Sequence, residues 1–159
     1  MKRTKDAFFW IVKFFRKNKI KFRITGGFAA RIYGSKRKLA DIDLGIHNKY
    51  IEKVSFLLKR YVIFGPKRYK SEDFNLLLVS LKYKGQKIDI SGVDDDKLFD
   101  RRLRRWEMES SRLDFVRKKV YNLIVPVVKL KDLIDYKMKI ARKVDKIDVK
   151  QIISSFVFA

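Results

Sequence analysis

Two aspartates, Asp41 and Asp43, are the residues of this chain most able to carry out chemistry. Alternation along a β-strand would place both carboxylates on one face, with Ile42 and Leu44 on the other. Carboxylates at positions i and i+2 of a strand make a cluster of hard oxygen ligands, which suits Mg²⁺. The pattern therefore predicts a divalent-cation site on one face of a strand.

A pair of glycines, Gly26-Gly27, precedes these aspartates, and thirteen residues separate Gly27 from Asp41. A β-prone run, Lys21 to Thr25, leads into the glycines, and a short helical stretch, Phe28 to Tyr33, follows them. Glycine lets the backbone approach a polyphosphate closely, with amide N–H groups and a helix N-terminus facing the negative charge. The glycines thus predict a phosphate-binding turn close to the cation site.

A hydrophobic strand, Gly-Gly and Asp-x-Asp at this spacing resemble the signature of the DNA polymerase β-like nucleotidyltransferase superfamily. Within it the chain is most similar to small proteins that include minimal nucleotidyltransferases and AbiEii-type toxin enzymes. A second stretch resembles the closing pattern of the family, an apolar–Lys helix followed by Arg-Lys-x-Asp and x-Asp: Leu133-Ile134-Asp135-Tyr136-Lys137, Ala141-Arg142-Lys143-Val144-Asp145 and Ile147-Asp148. The resemblance spans most of the chain, from Ile24 to Ile153.

A third carboxylate, Asp89, lies in a predicted hairpin. Asp73 to Tyr83 is typical of a largely buried strand, and Lys87 to Ser91 of the strand that returns beside it. Asp89 stands between Ile88 and Ile90, so alternation puts its carboxylate on the opposite face from both. In the superfamily, a third carboxylate on such a strand completes the metal site, and Asp89 matches that role by position. The alternative is an ordinary solvent-facing aspartate.

The resemblance implies an α+β fold, a small mixed β-sheet flanked by helices with further helices at the C-terminus. We expect a single domain over residues 1–159, with its core at about 20–92 and a C-terminal helical part at about 129–159. The implied reaction transfers a nucleoside monophosphate from an NTP to an acceptor hydroxyl. Asp41, Asp43 and Asp89 would hold two Mg²⁺ ions, and Asp89 would help to deprotonate the hydroxyl.

The resemblance also implies how the NTP would be bound. The amides of Gly26 and Gly27 would hold the triphosphate, and Lys137 would reach the phosphates from the C-terminal helix. Arg37 matches an arginine that is frequent in the family. The chain departs from the pattern in two places, because Gly-Gly replaces the Gly-Ser of many relatives and Leu39 stands where Ser or Thr is common. The second change removes a hydroxyl near the metal site, which bears on substrate class more than on metal binding.

The charge balance is strongly basic, with 40 Lys plus Arg against 18 Asp plus Glu and a formal net charge of +22. Nucleic acid is the leading partner, because phosphate contacts by Lys and Arg release counterions. An anionic membrane surface and the Lys-rich surface of a thermophile are the alternatives.

The densest cationic cluster lies on a predicted helix that Asp94-Asp95-Asp96 would cap and that runs toward Trp106. Two interpretations of this helix are open. It either contacts RNA or is a solvated face whose charges pair with acidic neighbours, Asp100, Glu107 and Glu109. The four basic residues of the cluster are Arg101, Arg102, Arg104 and Arg105.

Composition excludes several kinds of site. The chain has no cysteine and one histidine, His47, which excludes disulfides, thiolate catalysis, Cys-type zinc sites and histidine clusters. No apolar run approaches the roughly 18 residues of a membrane span, so we expect no membrane insertion and a cytoplasmic protein. The N-terminal segment Lys5 to Lys17 has the spacing of an amphipathic helix, which we expect to pack against the sheet.

The remaining segments have weaker patterns. Tyr50 to Lys59 has helical spacing, and Tyr61 to Phe64 indicates a short strand closed by a turn at Gly65-Pro66. Val120 to Val128 is typical of an extended segment. The chain from Lys129 to its end is predicted to be helical.

The sequence leaves the acceptor open. The basic surface favours RNA, with a tRNA 3′ end among the candidates, while protein hydroxyls and small-molecule hydroxyls are the alternatives. A rival from another class is a non-catalytic RNA-binding relative, which would be expected to have lost the carboxylates that this chain retains. The similarity to toxin enzymes adds an antitoxin as a further partner to consider.

Overall fold

A computed structural model of the protein describes residues 2–157, in which nine strands join one mixed sheet and five α-helices pack with it. The helices are α1 (Lys2–Lys17), α2 (Gly26–Ile32), α3 (Ile51–Leu57), α4 (Leu130–Ile140) and α5 (Lys143–Val157). The strands are β1 (Phe22–Ile24), β2 (Asp41–Ile46), β3 (Val62–Lys70), β4 (Phe74–Tyr83), β5 (Gln86–Gly92), β6 (Lys97–Asp100), β7 (Arg105–Met108), β8 (Phe115–Val120) and β9 (Leu123–Val128). This arrangement confirms the predicted α+β class.

The sheet has the strand order β7-β6-β4-β5-β2-β1-β9-β8. β3 lies outside this order and pairs with the edge of β4 that faces away from β5. The pairs β2–β5 and β1–β9 are parallel, while the remaining pairs are antiparallel. The strand that carries Asp41 and Asp43 therefore lies in the middle of the sheet, directly beside the strand that carries Asp89.

The core lies on the face of the sheet opposite these aspartates. Ile42 and Leu44 on β2 and Ile88 and Ile90 on β5 are fully buried, as alternation predicts. α1 covers this core with apolar residues at helical spacing: Phe8, Ile11, Val12 and Phe15. The predicted N-terminal helix is thus confirmed as a packing helix and begins three residues earlier than expected.

The turn predicted at Gly65-Pro66 is wrong, because β3 continues through these residues as far as Lys70. The pairing of β3 with β4 shifts register around them, which is a β-bulge. Proline lacks a ladder donor and is tolerated at such an irregularity. Gly65 has φ +73°, and a Cβ there would collide with the carbonyl oxygen of Leu78. Gly65 and Pro66, residue types that usually indicate a turn, instead form an irregularity within a long strand.

The helix predicted from Asp94 toward Trp106 is also wrong. Residues 97–108 form the β6–β7 hairpin, in which Phe99 pairs with Trp106 across the strands at a ring-centroid distance of 5.6 Å. The Asp100 carboxylate accepts the backbone N–H groups of Arg102 and Leu103, which stabilises a turn between the strands.

Two of the three consecutive aspartates before this hairpin, Asp94 and Asp95, contact residues that are distant in sequence. Asp94 accepts the backbone N–H of Asn48 and lies 2.9 Å from Nδ1 of His47, and Asp95 pairs with Arg68. A cap at this point would have needed the same oxygens that these partners occupy. These aspartates therefore do not cap a helix. They connect the loop between β5 and β6 to other parts of the chain, including the segment after β2.

The chain after β9 is helical as predicted, with one break. Ala141 adopts a left-handed conformation at φ +54° and separates α4 from α5. The predicted helix extends to Ala159, and its last two residues lie outside the described part of the chain. The helix expected over Tyr50 to Lys59 is α3, flanked by 3-10 turns, and β8 is a strand that the sequence did not indicate. Among residues 2–157, no helix has the length and apolar character required to cross a bilayer.

Candidate active site

The three predicted carboxylates lie on neighbouring strands of the sheet. In the parallel pair β2–β5, Asp43 lies directly opposite Asp89, and Asp41 lies opposite Lys87. The ammonium of Lys87 is 3.9 Å from Oδ2 of Asp41 and 3.5 Å from Oδ2 of Asp89. The structure thus brings all three aspartates to one face, with a positive charge between two of them.

The glycine pair packs directly against Asp43. The amide of Gly27 donates a hydrogen bond of 3.1 Å to Oδ2 of Asp43. Gly26 begins α2 with φ +59°, and a Cβ at this position would collide with the Asp43 carboxylate. Only glycine meets both conditions, since the left-handed region and the close approach each disfavour a side chain. The glycines therefore position the second aspartate of the Asp-x-Asp pair.

The electrostatics of this cluster favour a cation. Burial, followed by the charges of Asp89 and Asp41, raises the pKa of Asp43 to about 7. Burial and Asp89 also raise the pKa of Asp41. Crowded carboxylates hold protons in this way until a positive charge compensates them.

The donor set fits a divalent cation by its chemistry, because it consists of carboxylate oxygens with a Lys87 ammonium already between two of them. Within residues 2–157, no three Asp, Glu or His side chains already converge as a finished coordination site. Bound metal would have to compete with Lys87 and with the Gly27 amide for these oxygens.

Three cations are held beside the carboxylates by two buried aspartates of α5. Asp148 accepts Nε and Nη2 of Arg37 at 2.9 and 3.0 Å. The Lys137 ammonium lies 3.0 Å from Asp145 and 2.9 Å from Asp148. Arg142 donates from Nε to Asp145 at 2.7 Å. Arg37 and Lys137 are the two predicted phosphate-binding cations, and the structure joins them through Asp148.

The sequence places Asp145 and Asp148 in the closing pattern but predicts no role for either. Both are fully buried, and Lys137 is 1% exposed. Their spacing of three residues places both on one face of α5, which was the available signal. Arg37, which pairs with Asp148, precedes it by 111 residues, so the sequence could not show the pairing.

Ser80 is a further residue of the site that the sequence analysis missed. It lies opposite Asp89 in the β4–β5 hairpin and donates a hydrogen bond of 2.5 Å to Oδ1 of Asp89. The two-residue turn Lys84-Gly85 sets this register, so the pairing could have been predicted. Ser80 thus supplies a hydroxyl close to the carboxylates.

These groups surround a cleft of about 610 Å³, a size common for small-molecule and nucleotide sites. The aspartates lie at its base on β2 and β5. The cations described above line the side formed by α4, α5 and the loop after α2. Apolar and aromatic side chains line the side formed by β3 and β4: Ile63, Phe64, Tyr69, Phe74, Leu76 and Leu78.

The four arginines of the predicted RNA-binding cluster lie on the β6–β7 hairpin and not on a helix. Arg101 contacts Asp73 and donates to the carbonyl of Ile140 at the end of α4. Arg102 and Arg105 pair with acidic neighbours, among them Asp100, Asp135 and Glu107. Arg104 makes no ion pair with any residue in the range 2–157. Three of the four arginines therefore match the paired-surface interpretation.

A buried carboxylate outside the cleft predicts how stability depends on pH. Burial and the charge of Glu109 raise the pKa of Asp96 from 3.8 to about 7. The folded protein therefore keeps a proton that the unfolded chain releases between about pH 4 and 7, and stability falls as pH rises through this window. Asp96→Asn should remove this loss, by about 1–2 kcal/mol between pH 5 and 8.

Urea unfolding of both proteins at pH 5, 6, 7 and 8 measures this difference. Asp43 retains its own raised pKa in both proteins, so the comparison isolates Asp96. Parallel stability curves for wild type and Asp96→Asn would contradict the prediction.

The fold of the chain is that of nucleotidyltransferases. The suggested nucleotidyltransferase TM1012 from Thermotoga maritima superposes with a TM-score of 0.63 at 14% identity, over 97% of this chain and 94% of that one. The lincosamide antibiotic adenylyltransferase LnuA, solved with lincomycin bound, superposes with a TM-score of 0.62 at 16% identity, over 94% and 96%. The antibiotic-resistance factor ANT(2″)-Ia superposes with a TM-score of 0.60 at 14% identity, over 97% and 85%. No protein-family model matches the sequence, and neither does any curated protein.

Proposed function

We propose that the protein transfers a nucleoside monophosphate from an NTP to an acceptor hydroxyl. The observation that carries this proposal is the parallel pairing of Asp43 with Asp89 beside Asp41, at the base of a cation-lined cleft. Such an arrangement suits phosphoryl chemistry, which needs charge neutralisation and in-line positioning more than a covalent nucleophile. The nucleotidyltransferase fold supports the same conclusion.

In this proposal Asp41, Asp43 and Asp89 hold Mg²⁺. Bound Mg²⁺ would neutralise charge on the reacting phosphate and the leaving pyrophosphate. The Gly27 amide keeps the Asp43 carboxylate in place, and the Lys87 ammonium limits repulsion between Asp41 and Asp89.

The triphosphate lies on the side of Arg37, Lys137 and Arg142. The acceptor oxygen attacks the α-phosphorus and forms the new P–O bond, and the bond to the bridging oxygen breaks as pyrophosphate leaves with its electron pair. The proton of the acceptor hydroxyl passes to Asp89. Because Ser80 donates to Oδ1 of Asp89, the proton would pass to Oδ2, the oxygen that the Lys87 ammonium approaches to 3.5 Å.

We further propose RNA as the acceptor, with a tRNA 3′ end among the candidates. The net charge of +22 and the cations of the cleft favour an anionic acceptor. Structural neighbours that adenylylate antibiotics make a small-molecule hydroxyl the second candidate. From the resemblance to toxin enzymes we also propose an antitoxin partner. Growth arrest caused by wild type but not by Asp43→Asn would support this proposal.

One labelling experiment tests the reaction and the acceptor together. The protein is incubated with Mg²⁺, total RNA or lysate, and each of the four NTPs carrying an α-phosphate label. Label in RNA supports the proposal in full. Label in protein or in a small molecule keeps the transfer reaction and replaces the acceptor. No label with any NTP, alongside intact RNA binding, would favour the non-catalytic RNA-binding relative.

Binding of RNA should depend steeply on salt, because each neutralised phosphate releases counterions. Arg104→Gln should reduce the slope of log affinity against log salt by about one if this residue contacts a phosphate. Arg105→Gln is the matched control on the same hairpin, since Arg105 already pairs with Glu107 and should change the slope less. Filter binding between 50 and about 300 mM salt gives both slopes. Equal slopes for all three proteins would place the RNA interface away from this hairpin.

A further inference from the structure

The cleft has a second side whose chemistry differs from that of the triphosphate side. We call it the aromatic wall and define it by Phe64, Lys67 and Tyr69 on β3 together with Leu76 and Leu78 on β4. Directly paired residues of antiparallel strands share a face. Leu78 pairs with Ser91 of β5, two residues after Asp89, so the wall and the carboxylates face the same cleft.

The β3 residues reach this face through their partners on β4. Phe64 pairs with Ser80, Lys67 with Leu78, and Tyr69 with Leu76. Residues 64 and 67 are three apart and would face opposite sides of a regular strand. Because of the bulge at Gly65-Pro66, both pair with cleft-facing residues of β4; Phe64 lines the cleft itself, and Lys67 lies beside it. The irregularity in β3 thus adds a cation to an aromatic surface.

The wall combines exposed ring surface with positive charge. Tyr69 lines the cleft and is 38% exposed. Its ring centroid lies 6.2 Å from that of Phe64 at an interplanar angle of 81°, and the ammonium of Lys67 is 4.6 Å from the Phe64 centroid. Aromatic rings next to a cation are the surface on which proteins stack bases of single-stranded nucleic acid.

The position of the wall relative to Asp89 suits a terminal nucleoside. β3 lies two strands away from β5, with β4 between them, which corresponds to about 10 Å. A ribose and its base can span this distance, with a ribose hydroxyl at Asp89 and the base at the wall. The cations that would hold the triphosphate belong to α4, α5 and the loop after α2, whereas the wall belongs to β3 and β4, so the two groups come from different elements of the cleft.

We propose that the aromatic wall is the acceptor subsite and stacks the terminal nucleobase of an RNA strand, with Tyr69 as the principal stacking residue. This inference rests on the proposed nucleotidyl transfer to RNA and names how that acceptor is held. Stacking reads no particular base, because every base offers a π-face. The subsite therefore selects an RNA end by shape and charge and tolerates any terminal base.

The test is an RNA whose 3′-terminal base is 2-aminopurine, whose fluorescence is quenched by stacking. Binding to wild type should quench the signal, and Tyr69→Ala should abolish the quenching and raise the KM for RNA about tenfold. Tyr69→Phe retains the ring and should behave as wild type. Phe56→Ala removes an exposed aromatic residue of α3 outside the cleft and should leave both readouts unchanged.

A second RNA with an abasic 3′ end completes the design. Wild type should bind the abasic RNA more weakly than normal RNA, by the same factor by which Tyr69→Ala weakens binding of normal RNA. Tyr69→Ala should bind the abasic RNA and normal RNA with equal affinity. The proposed subsite would be overturned if Tyr69→Ala still quenched the fluorescence, or if wild type did not quench it. Either result would count against the subsite even if label enters RNA. Quenching that requires Tyr69 supports the subsite even if no transfer occurs, in which case the proposed reaction alone fails.

Discussion

Asp43→Asn should reduce labelling of the acceptor by about a thousandfold or more, which corresponds to roughly 4 kcal/mol of lost transition-state stabilisation. The change keeps the size of the side chain and leaves an oxygen that can still accept the Gly27 amide. It removes one negative charge from the centre of the carboxylate cluster. RNA binding should be unaffected, because the basic surface is unchanged.

The same variant should be more stable than wild type at pH 8. Burial and two carboxylate neighbours raise the pKa of Asp43 from 3.8 to about 7, so stability falls as pH rises through this window and the full cost is present at pH 8. An amide cannot ionise, and we expect a gain of about 1–2 kcal/mol without metal. Loss of activity together with increased stability separates a functional defect from a folding defect.

Asp95→Asn is the matched control for both measurements. Asp95 is an aspartate of the segment before β6 that pairs with Arg68 on the surface and does not line the cleft. It should retain full transfer activity. Equal labelling by wild type and Asp43→Asn would mean that the transfer chemistry is located elsewhere.

The parts of the site that the sequence predicts are those set by local periodicity. Alternation places Asp41, Asp43 and Asp89 on one side of their strands, because successive side chains of a strand point to opposite faces. The turn at Lys84-Gly85 similarly sets the β4–β5 register. That β2 lies parallel to β5 depends on the order of strands in the sheet, which no local pattern specifies.

The prediction fails where distant partners override a local signal. Three consecutive aspartates are typical of a helix N-terminus. Asp94 and Asp95 instead bind Asn48 and Arg68, from which they are separated by between 27 and 47 positions in the sequence. The hairpin that follows is stabilised by Phe99 and Trp106 across the strands. Helix propensity is a weak prior, and tertiary contacts of this kind exceed it.

Gly65 and Pro66 show a second way in which a local signal misleads. These residue types are frequent in turns because of their backbone conformations, and a bulge requires similar conformations. The bulge can be distinguished from a turn only by its partner strand, since the pairing of β3 resumes at Lys67. The longer strand supplies the aromatic wall of the proposed acceptor subsite.

The buried ion network on α5 carries the other large expected effect. Asp148 holds Arg37 and Lys137, and hydrogen bonds from Arg37, Ser35 and Lys137 lower its pKa to about 2 despite burial. Its stabilising contribution is present above the unfolded value of 3.8 and is lost as pH falls toward 2. The network should therefore be intact throughout the pH range in which activity is measured.

Asp148→Asn should destabilise the protein by about 3–5 kcal/mol at pH 7, because it leaves the buried Lys137 ammonium without one of its two carboxylates. Urea unfolding should show a lower midpoint with an unchanged slope. The KM for the NTP should also rise, since Arg37 loses the bidentate contact that positions it. Lys137→Met provides the matched change on the other partner.

The double variant Asp148→Asn with Lys137→Met decides whether the two effects share a cause. If the cost of Asp148→Asn comes from an unpaired buried ammonium, removal of that ammonium should recover a coupling energy of at least about 1 kcal/mol. The KM for the NTP should remain high in the double variant while stability improves relative to Asp148→Asn, because Arg37 stays unpaired and Lys137, itself a proposed phosphate ligand, is absent. Strict additivity of the two single changes would instead mean that Asp148 stabilises the fold independently of Lys137, through Arg37 and Ser35 alone.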